Sequence, residues 1–198
     1  MTGVILASAS PARRALLAGA GLQVEAMAAA VDEDAVKQAM RADGAEIHDV
    51  AETLAEMKAR RIARNRPDAL VIGADQMLVS EDTWFDKPTD RGTAADQLRR
   101  LRGKRHELVV SAVIVQGDTR LWHATDRARL TMRPFSETFL EHYLDAVGEA
   151  ACTSVGGYQL EGRGAQLFTR IEGDYFTILG LPLLPLLDYL RGRGALET

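Results

Sequence analysis

The chain has a single cysteine, Cys152, among 198 residues, so no disulfide can form within it. That fits a reducing compartment and points to the cytoplasm. Charge of neither sign dominates: 24 Lys and Arg stand against 28 Asp and Glu, and a net charge of −4 gives no general electrostatic reason to bind nucleic acid. The start of the chain lacks a basic region followed by an apolar one, so no secretory signal is expected. The most apolar stretch, TILGLPLLPLL at Thr177–Leu187, is too short for a bilayer and is interrupted by Pro182 and Pro185. It reads as a helix start buried in a core, and no membrane contact is expected.

Common nucleotide and metal motifs are missing too. No G-x-x-x-x-G-K-[ST] segment occurs, which excludes a P-loop. The glycines of GGYQLEGRG lack the spacing and position of a dinucleotide fingerprint. His106-Glu107 does not extend to H-E-x-x-H, and the four histidines and one cysteine are scattered without zinc-ligand spacing. No repeat, linker or low-complexity segment divides the chain. With 46% hydrophobic and 26% charged residues, it is expected to form one globular domain over residues 1–198, or two lobes sharing a core.

What is present is a mixture of strand and helix signals. Val4–Ala7 reads as a buried strand, Pro11–Ala20 as a helix stopped by Gly21, and Leu22–Ala28 as a second strand. Helices are expected over Asp32–Ala42 and His48–Asn65. In the second, Val50, Leu54, Met57 and Ile62 keep helical spacing and predict one buried face. ALVIGA at Ala69–Ala74 is a continuous apolar run, as in a strand covered on both sides; QMLVS continues it and EDTW reads as a turn. A helix at Ala94–Arg102, a long hairpin turning at Gly117-Asp118, and a Ser-capped helix at Ser136–Ala146 follow. A glycine-rich region then leads into a strand, and Pro182 opens a last helix ending near Arg191-Gly192. The fold class is α/β, without the strict alternation of a doubly wound sheet.

One local feature stands out. In ILASASPARRALLAGAGL, Arg13 and Arg14 fall in the first turn of a helix, where the dipole disfavours cations. Arg14 is expected to reach water. Ser10 before Pro11 is a sound helix cap, but Ser8 has no capping role. Together with Ser10, the free backbone N–H groups and Arg13, Ser8 would make a phosphate cradle.

Other charged residues have two readings each. Asp75 in GADQ is either a turn residue at a strand end, or a carboxylate that holds a metal or deprotonates water. Lys87 in FDKP is either solvated or aimed by the extended backbone that Pro88 imposes. The acids of VDED, Val31–Asp34, suit a helix start by capping alone, although Glu33 could ligate a metal. Lys58 lies in EMKARRIARN, a basic helical stretch whose plain reading is a solvated face, and that reading is the one expected for Arg60, Arg61 and Arg64. As a set, these groups suit metal-assisted attack on a phosphate ester or anhydride.

The segments LASASPARRALL, VDE, GADQ, DKP and GGYQLEGRGAQLFTRIEGDYFTILGLPLLPLL, in that order, resemble the Maf family. Its members are nucleoside-triphosphate pyrophosphatases once described as septum-formation inhibitors. The resemblance runs from about Val4 to about Leu190. It implies an inosine-triphosphate-pyrophosphatase-like α/β fold, with two lobes on an extended, twisted mixed sheet and a cleft between them. It implies hydrolysis of a nucleoside triphosphate to the monophosphate and pyrophosphate with Mg²⁺, or a similar ion such as Mn²⁺ or Co²⁺. It also implies a homodimer.

By the same resemblance Asp75 is the proton acceptor, Ser8, Ser10, Arg13, Lys58 and Lys87 bind phosphates, and Glu33 helps Asp75 bind metal. Ala12, Gln76 and Glu161 occupy the positions that separate subfamilies. Gln76 and Glu161 look like the branch that hydrolyses 7-methyl-GTP, whereas Ala12 matches neither that branch nor the one preferring dTTP and UTP. Alternatives are a dTTP/UTP-type pyrophosphatase, a non-enzymatic cell-division regulator that acts by partner binding, and a general inosine- or xanthosine-triphosphate pyrophosphatase, which fits the fold but not the particular motifs. Asp75 and Lys87 favour an enzyme, because a binding module needs no water-activating acid.

Overall fold

The computed structural model describes residues 3–197. β1 (Val4–Ala7) is followed by α1 (Pro11–Gly19), where Ser10 is the N-cap and its Oγ accepts the Arg13 N–H at 3.4 Å. Pro11 fills the first helical position, whose N–H has no intrahelical partner. Gly21, at φ +80°, turns the chain out of the helix. β2 (Glu25–Ala26) is far shorter than the expected Leu22–Ala28. It is the outermost strand and, among the described residues, pairs only with β1, through Ile5 with Glu25 and Leu6 with Ala26.

α2 (Glu33–Ala42) starts on Asp32, whose carboxylate accepts the Ala35 N–H at 3.1 Å. α3 (Ile47–Ala63) leads to β3 (Leu70–Ser80). The EDTW segment is only half a turn. Glu81 takes a positive φ of 54°, and β4 (Thr83–Phe85) then pairs back antiparallel onto β3. α4 (Arg91–Leu101) begins three residues before the expected Ala94, because Asp90 caps it by accepting the Thr93 N–H at 2.7 Å.

β5 (Arg105–Gln116) and β6 (Thr119–Met132) form the long hairpin, turning at Gly117-Asp118. α5 (Glu137–Val147) is capped by Ser136 as expected. The glycine-rich region runs through short 3₁₀ turns into β7 (Phe168–Glu172), then α6 (Tyr175–Ile178) and α7 (Leu183–Gly192), which follows Pro182.

The strands make one mixed sheet in the order β2-β1-β3-β5-β6-β7, with β4 on β3, so the α/β expectation holds. β1 pairs parallel to both β2 and β3, while β6 and β7 are antiparallel. The chain divides into two compact units. One runs as far as Gln76, takes in Val110–Asp126 and resumes at Gly180; the other comprises Met77–Val109 and Arg127–Leu179. In the first unit, Ile5, Ala7, Ala59, Ile62, Ala63, Val71 and Val115 form a buried cluster that joins β1, α3, β3 and β5. In the second, Leu78, Leu98, Leu101, Leu130, Leu140 and Tyr158 belong to a larger one. Among the described residues, no helix is long and apolar enough to cross a membrane.

The buried face of α3 differs from the expected one. Met57 is 39% exposed, while Val50, Ala51, Leu54, Ala55, Lys58, Ala59, Ile62 and Ala63 are buried. The face against the sheet is rich in alanine, so the helix lies close to the strands.

Candidate functional site

Residues two apart on a strand share a face, so Val71, Gly73 and Asp75 of β3 project the same way. That face meets α3. A Cβ built on Gly73 would lie 2.0 Å from the Ala55 carbonyl oxygen and 2.9 Å from the Ala59 Cβ, so only glycine admits the helix at this separation. One helical turn along from Ala55, Lys58 is carried onto Asp75.

Lys58 is therefore not a solvated residue of the EMKARRIARN stretch. It is 8% exposed, with its ammonium 2.5 Å from Asp75 Oδ1 and 2.8 Å from Glu33 Oε1. Of its basic neighbours, Arg61 and Arg64 are exposed, while half-buried Arg60 pairs with Glu56 and donates to the Asp118 carbonyl. Asp75 is 4% exposed, and its second oxygen, Oδ2, is buried without a hydrogen-bond partner. Such an orphaned oxygen costs free energy unless something occupies it in the working protein.

The opening arginine is also buried, at 9% exposure. Its Nε donates to the Gly180 carbonyl at 2.8 Å, and one terminal nitrogen donates to the Ala74 carbonyl at 2.9 Å and the Ser8 hydroxyl at 3.2 Å. Ser8 Oγ also accepts the Ser10 N–H at 3.2 Å. Burial lowers the Arg13 pKa from its ordinary value, and the charges of Asp75 and Glu33 oppose that shift. Arg13 thus sits in the unfavourable turn of α1 because its guanidinium is held by the chain on the far side, whereas Arg14 is exposed as expected.

Ser8, Ser10, Arg13, Glu33, Lys58 and Asp75 all belong to the first unit, as do Ala12 and Gln76. Lys87, just after β4, and Glu161, among the 3₁₀ turns, belong to the second, and both are exposed. Sequence reasoning missed the carbonyls of Ala74 and Gly180 and the space at Gly73. A lone glycine inside a buried strand was the available signal for the last of these.

Among the described residues, no group of three or more His, Cys, Asp or Glu is placed to hold a metal ion. Glu33 and Asp75 nevertheless bring hard oxygen donors together, at present around the Lys58 ammonium, and Asp75 Oδ2 is unengaged. This fits Mg²⁺, which takes one or two carboxylates and completes its shell with water and substrate phosphates.

A buried arginine, a buried lysine and two converging carboxylates on a mixed sheet define an α/β protein equipped to handle an anionic substrate. The chain belongs to the Maf family: the model for "Maf-like protein" matches residues 3–193, through both units. A protein of Granulibacter bethesdensis named nucleoside triphosphate pyrophosphatase is 56% identical, over 98% of this chain and 99% of its own. One of Paramagnetospirillum magneticum with the same name is also 56% identical, over 97% and 99%. A 7-methyl-GTP pyrophosphatase of Rhizobium meliloti is 54% identical over 98% of both chains.

Proposed function

We propose that this protein is a nucleoside triphosphate pyrophosphatase acting as one domain, and that Asp75 is its proton acceptor. The observation that carries the assignment is the paired state of the Asp75 carboxylate: Oδ1 is held by Lys58, and Oδ2 is buried with no partner. In the free protein the lysine thus sets the orientation of the side chain and leaves the other oxygen open to accept a proton.

In the reaction, water oxygen attacks the α-phosphorus and its proton passes to Asp75 Oδ2. The bond from the α-phosphorus to the bridging oxygen breaks, and pyrophosphate leaves with the electron pair. Ser8 and Ser10, at the start of α1, supply hydroxyl and backbone donors to phosphate oxygens. Arg13, Lys58 and Lys87 supply positive charge to match what builds up on the pyrophosphate. Glu33 and Asp75 would hold the divalent ion, Mg²⁺ or a similar one. When bound, the ion supplies charge to the phosphates and lowers the pKa of coordinated water.

The preferred substrate in this reading is a modified nucleotide such as 7-methyl-GTP. Gln76 and Glu161 support that branch and Ala12 does not. The reading places the enzyme in the cytoplasm, on the single cysteine, and includes a homodimer on the strength of the family resemblance alone.

The test is a panel of ordinary and methylated triphosphates with Mg²⁺, scored chromatographically for monophosphate and pyrophosphate. Run in ¹⁸O-water, the reaction should place the label in the monophosphate. Asp75→Asn should lose at least about a hundredfold in kcat, as expected when a general base is removed. Label in the pyrophosphate, or an active Asp75→Asn protein, would overturn the assignment.

A further inference from the structure

Lys58 occupies an unusual position for a phosphate-binding lysine. Its ammonium contacts Glu33 Oε1 at 2.8 Å and Asp75 Oδ1 at 2.5 Å, and its side chain is only 10% exposed. Those are the two carboxylates that converge to hold a divalent ion in the reading above, on which this inference rests. One cation already sits between them.

We propose that Lys58 is a built-in place-holder for the metal. In the free enzyme its ammonium holds one oxygen of each carboxylate, so a divalent cation alone meets a site whose negative charge is already halved and is repelled by the lysine at short range. A triphosphate changes the balance, because its oxygens give the ammonium another partner. The lysine swings from carboxylate to phosphate, and the metal takes the oxygens it vacates. Metal loading is thereby coupled to substrate, and neither charge set is left uncompensated in a buried place.

Three features of the site support an exchange over a fixed ion pair. Lysine is a point charge on a flexible four-carbon stem, which suits movement between partners better than the planar fork of arginine. Asp75 Oδ2 remains unpartnered, so the carboxylate has lone pairs for a cation that the lysine does not use. Arg13, in contrast, is tied by hydrogen bonds to the Ala74 and Gly180 carbonyls and to Ser8, and stays in place while Lys58 moves.

The experiment measures Mn²⁺ binding without nucleotide, by loss of the free-ion electron paramagnetic resonance signal. Wild type should bind weakly. Lys58→Met and Lys58→Gln, which remove the charge, should bind at least tenfold more tightly, and Mn²⁺ should raise their melting temperatures more than that of wild type. Lys58→Arg, which keeps the charge, should stay weak, and Lys58→Met with Glu33→Gln should lose the gain. Two charge-removing variants guard against one failing to fold, and the melting curves show which have.

If folded Lys58→Met and Lys58→Gln bind Mn²⁺ no better than wild type, while a non-hydrolysable triphosphate still recruits the ion to the protein, the exchange is wrong and the metal reading stands. If no form recruits Mn²⁺ even with that nucleotide, both fall.

Discussion

The Ala55 carbonyl oxygen occupies the space that a side chain on Gly73 would need, 2.0 Å from the ideal Cβ position. This contact between α3 and β3 sets the distance at which Lys58 meets Asp75. Relieving it in Gly73→Ala requires the helix to lift, because the obstructing atom is backbone and cannot rotate away. Overpacking of this kind costs about 1–3 kcal/mol, and more when backbone must move. Urea denaturation should show that loss. Activity should fall well beyond what the folded fraction explains, since a lifted helix carries Lys58 away from its place beside Asp75. A Gly73→Ala protein with wild-type stability and turnover would mean that the close approach does not position the site.

Arg13 yields a second prediction, on the energetic link. Three hydrogen bonds tie its guanidinium to Ser8 and to the carbonyls of Ala74 and Gly180, all in a buried setting. Lys cannot reproduce a fork that reaches acceptors in different directions. Arg13→Lys should therefore cost about 2–3 kcal/mol by leaving buried acceptors unpaired, with a clear drop in melting temperature. Ala74 immediately precedes Asp75, so kcat should fall more than KM rises. Unchanged stability would show that these bonds are not held in solution.

The regular elements were legible because their signals are local. Ser10-Pro11, Asp32 and Ser136 mark helix starts by chemistry that depends on three or four residues, and the structure begins helices there. Gly117-Asp118 likewise marked the long hairpin. The site was less legible because its decisive facts are tertiary. The pattern of EMKARRIARN alone does not separate Lys58 from Arg60, Arg61 and Arg64; the family resemblance singles it out, and the close approach of the helix over Gly73 carries it inward. Met57 was expected to be buried for the same reason: large side chains define a face in the pattern, whereas this helix packs through Ala51, Ala55 and Ala59. The edge strand Glu25–Ala26 could not be delimited in advance, since its length depends on its one neighbour.

His106 predicts the pH dependence of stability in the second unit. Its ring is 1% exposed and lies against the Tyr158 and Phe168 rings. Nε2 is hydrogen-bonded to the Tyr158 hydroxyl at 2.8 Å, and Nδ1 has no partner. Burial disfavours the charged form and lowers the pKa from 6.5 to about 4. Between those values the unfolded chain takes up a proton that the folded chain refuses, so stability is intact above pH 6.5 and declines as pH falls toward 4. At about 1.4 kcal/mol per unit, the full loss is roughly 3 kcal/mol. His106→Gln does not titrate at this position. Its stability should change less than that of wild type between pH 7 and pH 4.5 in parallel denaturant titrations, and equal slopes would remove His106 as the cause.

Glu161 predicts the choice of base. It is exposed, in the glycine-rich region of the second unit. A carboxylate presents only acceptors, which match the N1–H and amino group of a guanine-type edge. A uracil edge offers one N–H donor beside a carbonyl acceptor, and an amide matches that arrangement better. Glu161→Gln should therefore lower kcat/KM for 7-methyl-GTP by about tenfold or more, the scale of a lost charge-assisted hydrogen bond. Turnover of UTP should hold steady or rise, because the new amide can donate to the carbonyl. The ratio of the two rates separates this role from general damage, which would lower both together. A ratio unchanged by the substitution would take Glu161 out of base recognition and leave Gln76 as the next position to test.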